Sequence, residues 1–153
     1  MSRNLILAAA FAALAAPAFA QATDGPGPNL TIEVAGAANG TVVIDLLPDL
    51  APQHVAQIVA LAKEGAYDNV VFHRVIDGFM AQTGDVQYGK AGSDTSMAGM
   101  GGSDKPDIPA EFTDKASFQR GVVGMARAND PNSANSQFFI TFGDASFLDG
   151  QYT

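Results

Sequence analysis

The sequence predicts a mainly β domain, a barrel or a sandwich with helical capping. Three observations lead there. Short β-branched and apolar runs recur at residues 30–34, 41–46, 70–75, 79–82, 122–126 and 138–142. Only residues 51–64 carry apolar side chains at a sustained helical spacing. The 153 residues also hold 16 glycines and 8 prolines, enough to turn the chain often between short strands.

Taken in order, residues 1–4 carry Arg3, residues 5–16 are an unbroken apolar run, and Ala18-Phe19-Ala20 is a small-x-small cleavage site. This is the three-part pattern of a secretory signal peptide over residues 1–20, with Gln21 as the mature start. The run is shorter than the roughly 20 residues that a membrane-spanning helix needs. The expectation is a protein secreted across the inner membrane into the periplasm, with no membrane attachment after cleavage. Residues 21–29 are rich in Pro, Gly and polar residues and read as a flexible lead-in to a domain over 30–153.

The runs at 30–34 and 41–46 flank Asn39-Gly40, a strong turn signal, and predict a β-hairpin. The helix over 51–64 opens with Pro52 in its first turn and ends before Gly65, with Val55, Ile58, Val59 and Ala62 as its apolar stripe. Two short strands surround the turn Asp77-Gly78. Residues 86–105 have no hydrophobic period and read as a long surface loop. The last strands, 122–126 and 138–142, flank a polar loop over 129–136. No internal repeat is present.

Composition narrows the chemistry. Sixteen acidic against 8 basic residues give a net charge of −8. That opposes nucleic-acid binding, which needs clustered Lys and Arg. With no cysteine, thiol catalysis and disulfides are excluded. His54 and His73 have no metal-ligand spacing, and Asp94, Asp104, Asp107 and Glu111 lack that of a calcium loop, so no metal or cofactor is expected. Gly99-Met100-Gly101-Gly102 follows no strand and opens no helix, which argues against a phosphate loop. No nucleophile elbow is present.

The informative stretches are FHRVIDGFMAQTGD over 72–85, GGSD over 101–104, GMARANDPNSANSQFF over 124–139 and FLDG over 147–150. By residue type alone they give an apolar set with one cation and one amide nearby. In this order they closely resemble the cyclophilins, above all the bacterial secreted kind, from about residue 30 to residue 153. The resemblance implies a cyclophilin-like antiparallel β-barrel capped by helix. It also implies peptidyl-prolyl cis-trans isomerase activity on exported, folding proteins, with proline-containing polypeptides as substrates and a monomeric state.

That reaction rotates the C–N bond before proline against a barrier of about 18–20 kcal/mol, and no bond is broken. The empty inventory of nucleophiles and acid–base pairs fits it. By resemblance, Arg74 is the catalytic residue. The proline ring sits among Phe79, Met80, Phe139 and Leu148, and Gln82 and Gln137 make polar contacts with the substrate backbone. Ala126, Arg127 and Ala128 form the strip for the residue preceding proline, and Gly99 lines the neighbouring pocket. Phe147 and Tyr152 stand where animal members carry tryptophan and histidine, as is common in bacterial relatives; by resemblance the first argues against tight cyclosporin binding and the second keeps an aromatic wall. Arg127 stands where members often carry asparagine, which leaves the backbone role intact. The loop at 86–98 is longer than in animal members.

The family runs on past the position of Thr153 into two further strands and a second helix. The expectation is therefore a barrel incomplete at the C-terminus, with poor stability for this chain alone. The competing reading is a non-catalytic proline-peptide-binding or chaperone module. The Arg74, Phe79 and Gln82 set argues against it, while the missing C-terminal elements argue for it.

Overall fold

The computed structural model describes residues 24–153. The expected signal peptide over 1–20 and the first residues of the expected lead-in lie outside them. The described residues form strands β1 (Asn29–Val34) and β2 (Gly40–Asp45), helix α1 (Pro52–Lys63), strands β3 (Arg74–Ile76), β4 (Met80–Thr83), β5 (Val123–Met125) and β6 (Phe138–Thr141), and a 3-10 turn at Ser146–Leu148. No helix among them is long and apolar enough to cross a membrane.

The hairpin pairs β1 with β2 in full antiparallel register, from Asn29 opposite Asp45 to Val34 opposite Gly40. Gly40 therefore opens β2 rather than serving as a turn residue. The turn lies earlier, where the Gly36 N–H donates to Asn39 Oδ1 at 3.2 Å. The second sheet has the order β3-β4-β6-β5, all antiparallel. The two sheets share no strand and do not close into a barrel among the described residues. They meet through side chains instead. Leu30, Ile32, Val42 and Leu46 pack on a core of Ile44, Ile58, Met125, Ala134 and Phe138.

The helix begins and ends within a residue of expectation, but its inner face is turned. The buried residues are His54, Ile58 and Leu61, with Val55, Val59 and Ala62 only partly covered. His54 lies inside because a carboxylate waits for it: Glu111 Oε2 stands 2.6 Å from Nδ1. The same carboxylate accepts the backbone N–H groups of Gln53 and His54, both at 3.1 Å. These are helix-end donors that Ala51, having no polar side chain, leaves unmet. The negative charge also suits the positive end of the helix dipole.

Strand β6 organises everything that follows. Successive side chains of a strand point to opposite faces, and both phenylalanines at its start are buried. Phe138 enters the core under α1, edge-on to Tyr67. Phe139 enters a second cluster with Met80, Phe118 and Ala145. The expected strand over 70–75 is shorter, with one isolated bridge from Val70 to Lys90 before β3 begins at Arg74.

Candidate active site

A row of residues crosses the second sheet at one register level: Arg74 on β3, Gln82 on β4, Phe139 on β6 and Gly124 on β5 are successive partners. Antiparallel pairing puts directly opposed residues on one face. The cation, the amide and the aromatic ring are thus neighbours by strand register. The turn between β3 and β4 sets that register: Phe79 N–H donates to Ile76 O at 3.0 Å, and Gly78 holds φ 70°, which glycine adopts without strain.

Beside this row lies an open cavity of about 550 Å³ lined by His73, Arg74, Phe79, Met80, Gln82, Ala98, Gly99, Met100, Ala126, Arg127, Phe139, Leu148 and Tyr152. Its apolar side is built from one cluster: Phe139 stacks on Phe118 with ring centres 5.8 Å apart and meets Tyr152 edge-on at 5.7 Å. Met80, Phe79 and Leu148 complete that cluster. Gly124 is needed here, because a β-carbon at that position would stand 2.5 Å from Phe139 Cζ and 2.6 Å from Phe118 Cε1.

The polar side is a relay of amides. Arg74 Nη1 donates to Gln82 Oε1 at 3.3 Å, and Gln82 Nε2 donates to Gln137 Oε1 at 2.9 Å. Gln137 Nε2 in turn donates to the carbonyls of Gly99 and Gly101, at 3.1 and 2.7 Å. The N–H groups of those same two glycines donate to Asp85 Oδ2, at 2.7 and 2.9 Å. Asp85 Oδ1 accepts the N–H groups of Gln87 and Tyr88. Asp85 is fully buried. Burial pushes its pKa up most strongly, but four backbone donors together outweigh that and hold the carboxyl below its ordinary value. The expected formless loop at 86–105 is thereby pinned to the cavity wall through Gly99 and Gly101.

Of the residues expected from the sequence, Arg74, Phe79, Met80, Gln82, Gly99, Ala126, Arg127, Phe139, Leu148 and Tyr152 line the cavity. Gln137 stands behind Gln82 in the relay. Phe147 lies outside the lining: it packs on Phe79 at 5.7 Å between ring centres and is 63% exposed. Ala128 is exposed beyond the rim, its N–H donating to Ser133 Oγ. Three lining residues went unsuspected, His73, Ala98 and Met100, and so did Asp85 beneath them. His73 adjoins Arg74 but lies before β3 begins, so strand alternation gives no hint of its placement. Both of its ring nitrogens are buried without a hydrogen-bond partner among the described residues. Burial lowers its pKa, and the nearby Asp85 charge opposes that shift without reversing it.

Comparison with known proteins identifies the family. The model of the family "cyclophilin type peptidyl-prolyl cis-trans isomerase/CLD" matches residues 29–153. The chain belongs to the cyclophilin family. Its activity is accordingly cis-trans isomerisation of peptide bonds preceding proline. A probable peptidyl-prolyl cis-trans isomerase of Brucella suis is 55% identical over 153 residues, covering 99% of this chain and 76% of the relative. A peptidyl-prolyl cis-trans isomerase of Arabidopsis thaliana is 37% identical over 121 residues, 78% of this chain and 23% of that one. Among solved cyclophilins, one from Cryptosporidium parvum, crystallised in the presence of the dipeptide Ala-Pro, superposes with a TM-score of 0.65 at 30% identity. The match covers 74% of this chain and 69% of that one. A cyclophilin from Hirschia baltica gives 0.59, also at 30% identity, over 74% of this chain and 57% of the other. The fold is cyclophilin-like, mainly β with a single α-helix among the described residues.

Proposed function

We propose that this cyclophilin accelerates rotation about X-Pro bonds in exported, folding polypeptides, with Arg74 as the catalytic residue. The observation that carries the assignment is an exposed guanidinium without a carboxylate within 4 Å among the described residues, in register with Gln82 and beside the Phe79, Met80, Phe139 and Leu148 wall. The proline ring rests on that wall, and apolar contact fixes its position while the preceding residue swings.

As the C–N bond twists, the prolyl nitrogen loses amide resonance and becomes a better hydrogen-bond acceptor. A guanidinium beside it binds the twisted form more tightly than either planar form, which lowers the barrier selectively. A charge-assisted hydrogen bond of about 1.5–3 kcal/mol accounts for roughly one to two powers of ten in rate. Orientation on the apolar wall and partial exclusion of water supply the remainder. Gln82 steers the guanidinium, and Gln137 holds Gln82. The backbone of 126–128 takes the residue preceding proline, as the family resemblance implies, and Gly99 flanks the neighbouring pocket.

The exported setting rests on Arg3, the apolar run over 5–16 and Ala18-Phe19-Ala20. Expression of the full chain followed by fractionation and N-terminal sequencing tests it; an intact Met1 on cytoplasmic protein overturns it. The catalytic assignment is tested by isomerisation of a proline tetrapeptide. Arg74→Ala is expected to lower kcat/KM by roughly ten- to a hundredfold. Arg74→Lys is expected to recover little, because lysine lacks the planar fork. Equal activity in wild type and Arg74→Ala ends the assignment.

A further inference from the structure

A second cation stands at the cavity beside Arg74, and it is held differently. Arg127 is half-buried, with its guanidinium carbon 4.5 Å from the centre of the Tyr152 ring. Nε and Nη2 donate to the carbonyl of Gln151 at 3.2 and 3.0 Å, and Nη1 donates to those of Ala128 and Asn129 at 2.9 and 3.4 Å. Carbonyl dipoles and an aromatic face orient a guanidinium without neutralising it. All 16 Asp and Glu residues lie among the described residues, where the ion pairs are His54–Glu111 and Lys105–Glu64 alone. Neither Arg74 nor Arg127 therefore has a carboxylate within 4 Å, and both line one cavity on a molecule of net charge −8. The four contacts leave at least one N–H on Arg127 Nη2 without a protein acceptor.

We infer that Arg127 is a specificity determinant that favours substrates carrying an Asp or Glu side chain next to the isomerised proline. A fixed, unpaired guanidinium has already lost most of its rotamer freedom, so a substrate carboxylate gains the ion pair without ordering the arginine first. The surrounding negative charge makes the preference local: a carboxylate is attracted at the cavity and repelled elsewhere. The inference rests on the same site that serves isomerisation, and its test separates the two.

Peptides that differ only by Glu or Gln are compared at the residues flanking proline, using kcat/KM of the full chain. Affinities of the same pairs are measured in an Arg74→Ala background by fluorescence anisotropy. At low ionic strength the Glu peptide is expected to win by roughly two- to fivefold at one flanking position, in rate and in affinity. The ratio should shrink towards one in about 0.5 M salt and in Arg127→Gln. In Arg127→Glu, Lys peptides should overtake Glu peptides. A ratio of one at every position, or one unchanged in Arg127→Gln, overturns the inference while leaving isomerisation untouched. No catalysed rate in the wild-type chain, with the affinity ratio preserved, would instead sink the isomerase reading and leave this inference standing.

Discussion

Arg74 and Gln82 face each other across β3 and β4, and the guanidinium Nη1 donates to the amide Oε1 at 3.3 Å. Strand register alone brings the two side chains to one face, but the hydrogen bond chooses the direction of the guanidinium. Because Gln82 is itself held by Gln137, and Gln137 by two backbone carbonyls, the aim of Arg74 is fixed from the loop inward.

Gln82→Leu keeps the volume roughly constant and removes the acceptor. The Arg74–Gln82 bond is charge-assisted but exposed and 3.3 Å long, which puts it at the low end of that class, about 1.5 kcal/mol. Without it kcat should fall by roughly tenfold, and KM should rise with loss of the amide's contact to the substrate backbone. Steady-state rates with a proline tetrapeptide check this. An unchanged kcat would mean that the arginine aims itself.

Asp85 makes a stronger claim on the loop. Its carboxyl sits below the ordinary 3.8 because four N–H donors outweigh the effect of burial. A depressed folded pKa contributes stability that is complete above the unfolded value and is lost as pH falls through the folded one. The 99–101 wall should therefore loosen only below about pH 4, seen as rising amide exchange at Gly99 and Gly101. Asp85→Asn turns an NH₂ group towards two of the four donors, and each buried donor left unpaired costs about 1–3 kcal/mol. The variant should melt lower than wild type, show a raised KM, and lose the acid limb of the stability profile.

How much of this could be read beforehand differs between the two sides of the cavity. The apolar wall and Arg74 were legible, since Phe79, Met80, Phe139 and Leu148 sit in motifs whose order along the chain is distinctive. The helix was legible in extent but not in rotation. His54 looked polar, and the carboxylate that makes it a core residue lies 57 positions away. The loop at 86–105 looked formless because its order comes from Asp85 reaching across 14 and 16 positions to glycine N–H groups. Such pairing leaves no hydrophobic period to detect. His73 escaped for a similar reason: its ring lies against the loop that Asp85 holds, with Gly99 so close that a β-carbon there would stand 3.2 Å from His73 Nε2.

Gly124 tests the packing side. Its absent side chain is what lets Phe118 and Phe139 stack over β5. Gly124→Ala forces one ring aside, and overpacking of this kind costs about 1–3 kcal/mol. Because Phe139 is also part of the wall, KM should rise several-fold alongside the drop in melting temperature. A variant that melts lower with unaltered KM would show that the displaced ring is Phe118 and that the wall is rigid.

The last prediction concerns Glu111, which is not part of the cavity lining and so separates stability from catalysis. Its carboxylate meets the His54 ring and the first N–H groups of α1, while its own N–H donates to Thr153 Oγ1 at 2.9 Å. Burial acts to raise its pKa, and the hydrogen bonds from His54 and Gln53 outweigh it, holding the carboxyl below the ordinary 4.5. Its contribution is thus complete above about pH 4.5 and disappears as pH drops through the folded value. Glu111→Ala removes the helix cap, worth about 0.5–2 kcal/mol, and leaves buried His54 without its only acceptor among the described residues, worth about 1–3 kcal/mol. A loss of about 2–4 kcal/mol in urea unfolding at pH 7 is expected, with kcat/KM close to wild type wherever the variant is folded. The difference between the two proteins should narrow below pH 4.5, where wild type loses the same charge. A gap that stays constant down to pH 3 would mean that Glu111 acts through packing rather than through its negative charge.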